Sequence, residues 1–265
     1  MRRIVILDGY AGNPGDLSWE PMKALAPCDI YDFGTADTVV ERCRDAEMVL
    51  TNKVPIDAAA IAQLPELKYI GVMATGFNVA DVAEATRRGI VVTNVPAYST
   101  DSVAQLTIAH LLNICWQPQH YTDEARDLKW TNCGSYAYFN TPLIELAGKQ
   151  MGIVGLGNIG SAVARMALAM MKPGSIVLNM ARGALIVEQD LADALNSGHL
   201  YAAAVDCTSV EPPAADHPLL TARNCYLTPH IGWTSFEART RLMDVITSNV
   251  AAYLDGKPVN VVNNK

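Results

Sequence analysis

Met151-Gly152-Ile153-Val154-Gly155-Leu156-Gly157-Asn158-Ile159-Gly160 is the stretch on which the fold turns. An apolar run of strand length passes into G-x-G-x-x-G and then into a helical pattern. Gly155 permits the tight turn, Gly157 lets the backbone come close to a pyrophosphate, and Gly160 lets helix and strand pack closely. The helix start beyond them offers unpaired N–H groups and a positive dipole end, so Gly155, Gly157, Asn158, Ile159 and Gly160 form a candidate phosphate cradle. A purely structural turn is the competing reading. The strand-turn-helix setting favours a bound dinucleotide.

Working outward, the first hundred residues alternate apolar runs with helical patterns. Residues 3–7, 29–33, 48–52, 68–74 and 91–95 read as short buried strands, and 19–25, 36–46, 57–64 and 79–88 as helices, the last closed by Gly89. Strand-helix alternation with short connections predicts a parallel, doubly wound sheet. A long helix is expected over 101–115, with apolar residues 103, 106, 109 and 112 on one face. Residues 118–146 read as irregular and aromatic, a candidate surface for a second subunit. A second alternating region follows, with strands at 150–154, 175–180, 202–206 and 226–227 and helices after Asn158 and near 188–197. A last helix at 236–254 ends at Asp255-Gly256-Lys257-Pro258.

Composition narrows the class. The chain has 265 residues, 50% of them apolar and 18% charged, enough for two cores. A net charge of −7 argues against nucleic acid as a main partner. No apolar run approaches the roughly 20 residues that span a bilayer, so no membrane segment is expected. The apolar stretch after Arg2-Arg3 is too short for a signal-peptide core. The six cysteines show no metal-like spacing, so no metal site is expected, and six reduced thiols suit a cytoplasmic protein.

Three further segments carry chemistry. Asn179-Met180-Ala181-Arg182-Gly183 ends one strand in an arginine; Ala203-Ala204-Val205-Asp206 ends another and is followed by Glu211-Pro212; Leu227-Thr228-Pro229-His230 ends a third in a histidine. Ligands of open α/β sheets bind at the carboxyl ends of strands, where all three groups fall. His230 is the candidate acid/base, because an imidazole titrates in the useful range. Glu211 is the candidate partner of its other ring nitrogen, and Arg182 a planar clamp for a substrate carboxylate. Asp206, and with it Met180 and Ala181, are candidates for cofactor contacts. His110, His120, His199 and His217 fall outside the pattern and read as structural or surface residues.

These motifs resemble the D-isomer-specific 2-hydroxyacid dehydrogenases, most closely the glycerate dehydrogenase/hydroxypyruvate reductase branch. Thr51-Asn52-Lys53, Gly71-Val72-Met73-Ala74-Thr75-Gly76-Phe77-Asn78, Thr93-Asn94-Val95-Pro96-Ala97-Tyr98-Ser99-Thr100 and Thr228-Pro229-His230-Ile231-Gly232-Trp233 carry the resemblance, with the glycine motif and the arginine segment. It implies two doubly wound domains: a flavodoxin-like substrate domain at 1–98 and 235–265, and a Rossmann dinucleotide-binding domain at 99–234. It implies NAD or NADP as cofactor, a small 2-keto or 2-hydroxy acid as substrate, and a homodimer. Arg182, Glu211 and His230 would be catalytic. Backbone amides of Ala74, Thr75 and Gly76 would hold the substrate carboxylate, with Asn52 and Lys53 nearby. A cofactor-binding regulator or inactive paralogue of the same fold is the alternative.

One departure stands out. A dinucleotide fold carries Asp or Glu about 20 residues beyond its glycines, to hold the adenosine ribose. Here Gly160 is followed at that distance by Asn179-Met180-Ala181-Arg182, with no acid. Allowing roughly 30 residues for each strand-helix-strand unit, about 50 to 60 residues and two strands are lacking. Three explanations stay open: a segment absent only from the sequence as written, an artificial deletion, and a natural truncation. Backbone continuity between Gly160 and Lys172 would separate the first from the others, because consecutive Cα atoms stand about 3.8 Å apart.

Overall fold

A computed structural model describes residues 2–147, 149 and 172–263. The glycine motif, its expected strand and the junction from Gly160 to Lys172 lie outside the described residues. The chain divides into two compact units, Met1–Thr100 with Trp233–Lys265, and Asp101–Gly232.

The first unit is a five-stranded parallel sheet, β1 (Ile4–Ile6), β2 (Cys28–Ile30), β3 (Met48–Thr51), β4 (Tyr69–Val72) and β5 (Val91–Thr93), in the order β2-β1-β3-β4-β5. The runs form strands because alternate residues serve two cores. Val5, Leu7, Val49, Ile70 and Val72 face one cluster; Ile4, Ile6, Met48, Leu50 and Tyr69 face the other. The first is covered by α2 (Val39–Cys43), α3 (Ala58–Ala62) and α4 (Val82–Arg87). The second holds Met22 of α1 (Glu20–Lys23) and the returning C-terminal helix, Phe236–Leu254, whose Leu242, Ile246 and Val250 are fully buried. Burying each such side chain contributes about 1.5–3 kcal/mol. Asp57, Asp81 and Ser235 cap their helices by accepting N–H bonds from Ala60, Glu84 and Ala238.

In the second unit β6 (Ser175–Asn179), β7 (Leu200–Val205) and β8 (Cys225–Leu227) form a parallel sheet in that order. One face packs on α5 (Thr100–Trp116) through Ile114, the other on α8 (Glu188–Asn196) through Leu191 and Leu195.

Two expectations are corrected. Residues 109 and 112 of α5 are exposed, whereas His110 and Ile114 are buried. Steps of three residues lag a helix by about 60° each, so residue 112 lies opposite residue 103. Residues 118–146 are also not wholly irregular: α6 (Pro118–Arg126) starts on a proline suited to a first turn, and α7 (Lys129–Asn132) follows. Glu124, buried at 6% exposure, draws this segment together. Its carboxylate accepts from Lys129 Nζ at 2.7 Å and Asn140 Nδ2 at 2.9 and 3.0 Å. A further short helix, α9 (Pro218–Thr221), precedes β8, and the C-terminal helix is α10.

Candidate active site

In the second unit, the loops at the carboxyl ends of β6, β7 and β8 carry the polar groups. Asn179 closes β6 with its side chain folded back: Oδ1 accepts the Ala181 N–H at 3.2 Å and Nδ2 donates to the Arg182 carbonyl at 2.9 Å. This fixes the backbone of residues 180–182 and leaves the Arg182 side chain exposed, with Nη1 donating to the Ala181 carbonyl at 2.8 Å. Gly183 then lies against the chain after β7. A Cβ there would overlap the backbone of Thr208 and Ser209, so only glycine lets the arginine loop and the Glu211 loop meet.

Glu188, from α8, anchors the same loop: Oε1 accepts the Ser209 N–H at 2.7 Å, and Oε2 lies 3.1 Å from His217 Nε2 without lining up as a hydrogen bond. Glu211 accepts the Thr208 N–H at 3.2 Å and meets the imidazole of His230, with Nδ1 at 2.8 Å from Oε1 and 2.7 Å from Oε2. Nδ1–H donates to the carboxylate, so Nε2 is the nitrogen that can exchange a proton with a ligand. The two side chains are 23% and 31% exposed, open enough for a ligand to reach the ring.

Asp206 is buried at 2% exposure. Its Oδ1 accepts from Thr228 Oγ1 at 2.5 Å and the Ile231 N–H at 3.0 Å; its Oδ2 accepts the Gly232 N–H at 2.8 Å. The sequence suggests a cofactor contact for Asp206. The geometry also gives it the part of a clamp that ties down both sides of His230, whose own φ of 55° lies in the left-handed region. His110, which reads as structural from sequence, reaches the same network: Nε2 lies 3.4 Å from Thr228 Oγ1. Burial holds its imidazole below the ordinary histidine range, partly offset by Asp206.

The structure thus brings Glu211 and His230 into contact and sets the Arg182 loop against the Glu211 loop. Asn52, Lys53, Ala74, Thr75 and Gly76 stand in the first unit, after β3 and β4. Asn52 is buried, and its Nδ2 donates to the Met73 carbonyl at 2.6 Å. Thr75 Oγ1 donates to the Val95 carbonyl at 3.0 Å, and Asn94 Nδ2 to the Thr75 carbonyl at 2.8 Å, so Ala74 and Thr75 are held by the residues that follow β5. Sequence reasoning missed Glu188 and the clamp by Asp206, because their partners are backbone amides more than twenty residues away.

The family model described as D-isomer specific 2-hydroxyacid dehydrogenase, catalytic domain, matches residues 10–263. The chain belongs to that family. It is 40% identical to a hydroxypyruvate reductase of Blautia hydrogenotrophica over 320 residues, covering 98% of this chain and 99% of the relative. It is 31% identical to a glycerate dehydrogenase of Methylorubrum extorquens over 86% of this chain and 89% of that one. The fold matches a D-lactate dehydrogenase of Aquifex aeolicus solved with NAD and lactic acid, with a TM-score of 0.81, 20% identity and complete coverage of both chains. The protein is therefore an oxidoreductase of a family that works with NAD or NADP. The described residues place Arg182, Asp206 and His230 in the segments that follow β6, β7 and β8 along one carboxyl edge, where open α/β sheets take ligands.

Proposed function

We propose that this chain reduces a small 2-keto acid, hydroxypyruvate or glyoxylate, to the 2-hydroxy acid. The His230–Glu211 pair at the strand ends carries the reading. NAD(P)H supplies the hydride. His230 delivers a proton from Nε2 to the keto oxygen, and Glu211 holds the ring so that Nε2 faces the substrate. The Arg182 guanidinium pairs with the substrate carboxylate in a planar, charge-assisted contact. The test is consumption of NADH or NADPH with each keto acid. Turnover that Arg182→Ala lowers supports the assignment; no turnover, or turnover indifferent to Arg182→Ala, sinks it.

One observation favours a second reading, a protein that binds cofactor without turnover. The alignment with the hydroxypyruvate reductase runs over 320 residues and this chain has 265, so 320 − 265 leaves at least 55 positions of the relative without a counterpart. That number is of the same size as the 50 to 60 residues that the sequence spacing suggests are lacking after Gly160. NADH binding seen by fluorescence, with no keto acid reduced, would favour this reading.

We also assign a homodimer and a cytoplasmic location. Ile108, Leu112 and Trp116 are exposed along one stripe of α5, and Leu128, Trp130, Tyr136 and Phe139 are exposed in the segment after it. A second copy of this chain covering that surface accounts for its apolar character; a monomer by sedimentation at micromolar concentration would refute it. No helix among the described residues is long and apolar enough to cross a membrane. All six cysteines are free, and burial pushes Cys28 and Cys225 up to about 11 and Cys43 to about 12, as suits thiols kept reduced in the cytoplasm.

A further inference from the structure

Glu211, the partner of His230, sits in a loop without helix or strand, residues 206–217, between β7 and α9. One side chain of the second unit reaches that loop near both ends. Glu188, the first residue of α8, is 16% exposed, and its two carboxylate oxygens face different parts of the loop. Oε1 accepts the Ser209 N–H at 2.7 Å, just before Glu211. Oε2 lies 3.1 Å from Nε2 of His217, the residue that caps α9.

The His217 ring meets Glu188 in one tautomer. Its Nδ1 accepts the Leu219 N–H at 3.3 Å, so that nitrogen carries a lone pair and the proton of the neutral ring is on Nε2. Nε2 is buried and has no aligned hydrogen bond among the described residues. A carboxylate 3.1 Å away is the partner that such a buried N–H calls for. At the other end of the loop, Glu211 itself accepts the Thr208 N–H at 3.2 Å, so the frame runs from Glu188 through Thr208 and Ser209 to the Glu211 carboxylate. Gly183 packs on the same two backbone residues from the arginine loop and closes off movement that way. An acid in the first turn of a helix also steadies the helix dipole, but that role alone would leave the Glu211 loop indifferent to it.

We infer that Glu188 is a positioning residue: by holding Ser209 and His217 it sets the Glu211 carboxylate against Nδ1 of His230. The part this plays in proton delivery rests on the 2-keto acid reading. Its test is the tautomer of the neutral His230 ring, read from the imidazole nitrogen resonances and needing no turnover, in the wild type, Glu188→Ala and Glu188→Gln. The values of kcat and KM for hydroxypyruvate are measured alongside. In the wild type the proton belongs on Nδ1, facing Glu211. Glu188→Ala should let the carboxylate drift, so that the Nε2–H form gains population, and should lower kcat about tenfold with KM nearly unchanged. Glu188→Gln keeps an acceptor for the Ser209 N–H and should restore most of both. In a Glu211→Ala background, Glu188→Ala should cost nothing further in kcat. An unchanged tautomer in Glu188→Ala, or a loss in kcat that persists undiminished in the Glu211→Ala background, would overturn the inference. So would a fall in Tm that leaves both tautomer and kcat as in the wild type. Where Glu188→Ala melts below assay temperature, Glu188→Asp, which keeps the charge and draws the acceptors back by one methylene, carries the same comparison. Failure of the keto acid reading looks different: the tautomer answers to Glu188, yet the wild type reduces no keto acid.

Discussion

The imidazole Nδ1 of His230 sits between both oxygens of Glu211, at 2.8 and 2.7 Å, although the two residues come from loops after different strands. The pairing fixes the tautomer and turns Nε2 away from the carboxylate. His230→Ala therefore removes proton delivery itself and should lower kcat by about 10²–10⁴-fold, with cofactor affinity held. Glu211→Gln retains an acceptor and should cost less, about tenfold. Steady-state kinetics with NADH fluorescence titration checks both; equal losses in the two variants would show that Glu211 does more than orient the ring.

Gly183 sets a steric condition. Adding one methyl would drive it into the Thr208–Ser209 backbone, which cannot move without moving Glu211. Gly183→Ala should destabilise by about 1–3 kcal/mol through overpacking and lower kcat as well. Denaturant unfolding measures the first effect. An active variant of unchanged stability would mean that the two loops do not touch.

The Asp206 clamp predicts a local loss. Asp206→Ala removes the acceptor of the Ile231 and Gly232 amides and of the Thr228 hydroxyl, the Gly232 amide being buried, at a cost of about 1–3 kcal/mol. The His230 turn, held in a left-handed conformation, should relax with it. Hydrogen exchange should show faster exchange at Ile231 and Gly232, with β7 itself still protected.

Much of this architecture was legible because period-two apolar runs such as Ile4-Val5-Ile6-Leu7 must serve two cores, and because residues that end strands mark the ligand edge. The errors have physical causes. Residues 103, 106, 109 and 112 look like a stripe in sequence but wind around the helix, so two of the four, 109 and 112, face solvent. The helix over Pro118–Arg126 has a polar sequence and is held by Glu124 through bonds from Lys129 and Asn140, which no local pattern announces. Glu188 opens a helix like any first-turn acid; its meaning depends on an amide 21 residues away.

Glu124 gives the second unit a pH dependence. The hydrogen bond from Lys129 holds its carboxyl below the ordinary glutamate range, and Glu124 in turn raises Lys129. A depressed carboxyl contributes stability above its unfolded value, and that contribution is lost as pH falls through the folded value. The segment from α6 to Asn140 should therefore loosen on acidification below the ordinary glutamate range. The lysine works at the other end, its contribution fading as pH rises through its raised value. Trp130 fluorescence followed against pH should show the acid transition, and Glu124→Gln should abolish it. A transition that survives in Glu124→Gln belongs to another group.

The sequence spacing between Gly160 and Arg182 makes the most consequential prediction. The residues proposed here for the catalytic end, Arg182, Glu211 and His230, are present, and an acid about 20 residues past the glycines, where a dinucleotide fold holds the ribose, is not. A chain with that composition should bind NADH weakly, because the adenosine half of the ligand finds no partner. Inserting the corresponding segment of the Blautia hydrogenotrophica relative, at least 55 positions, should tighten NADH by about 100-fold, equivalent to about 2.7 kcal/mol of recovered contacts. Affinity for nicotinamide mononucleotide, which lacks the adenosine half, should stay the same. Fluorescence titration of both ligands on both chains decides the matter. Equal NADH affinity with and without the insert would mean that this chain holds the adenosine by another route, and that the shortfall leaves its cofactor site intact.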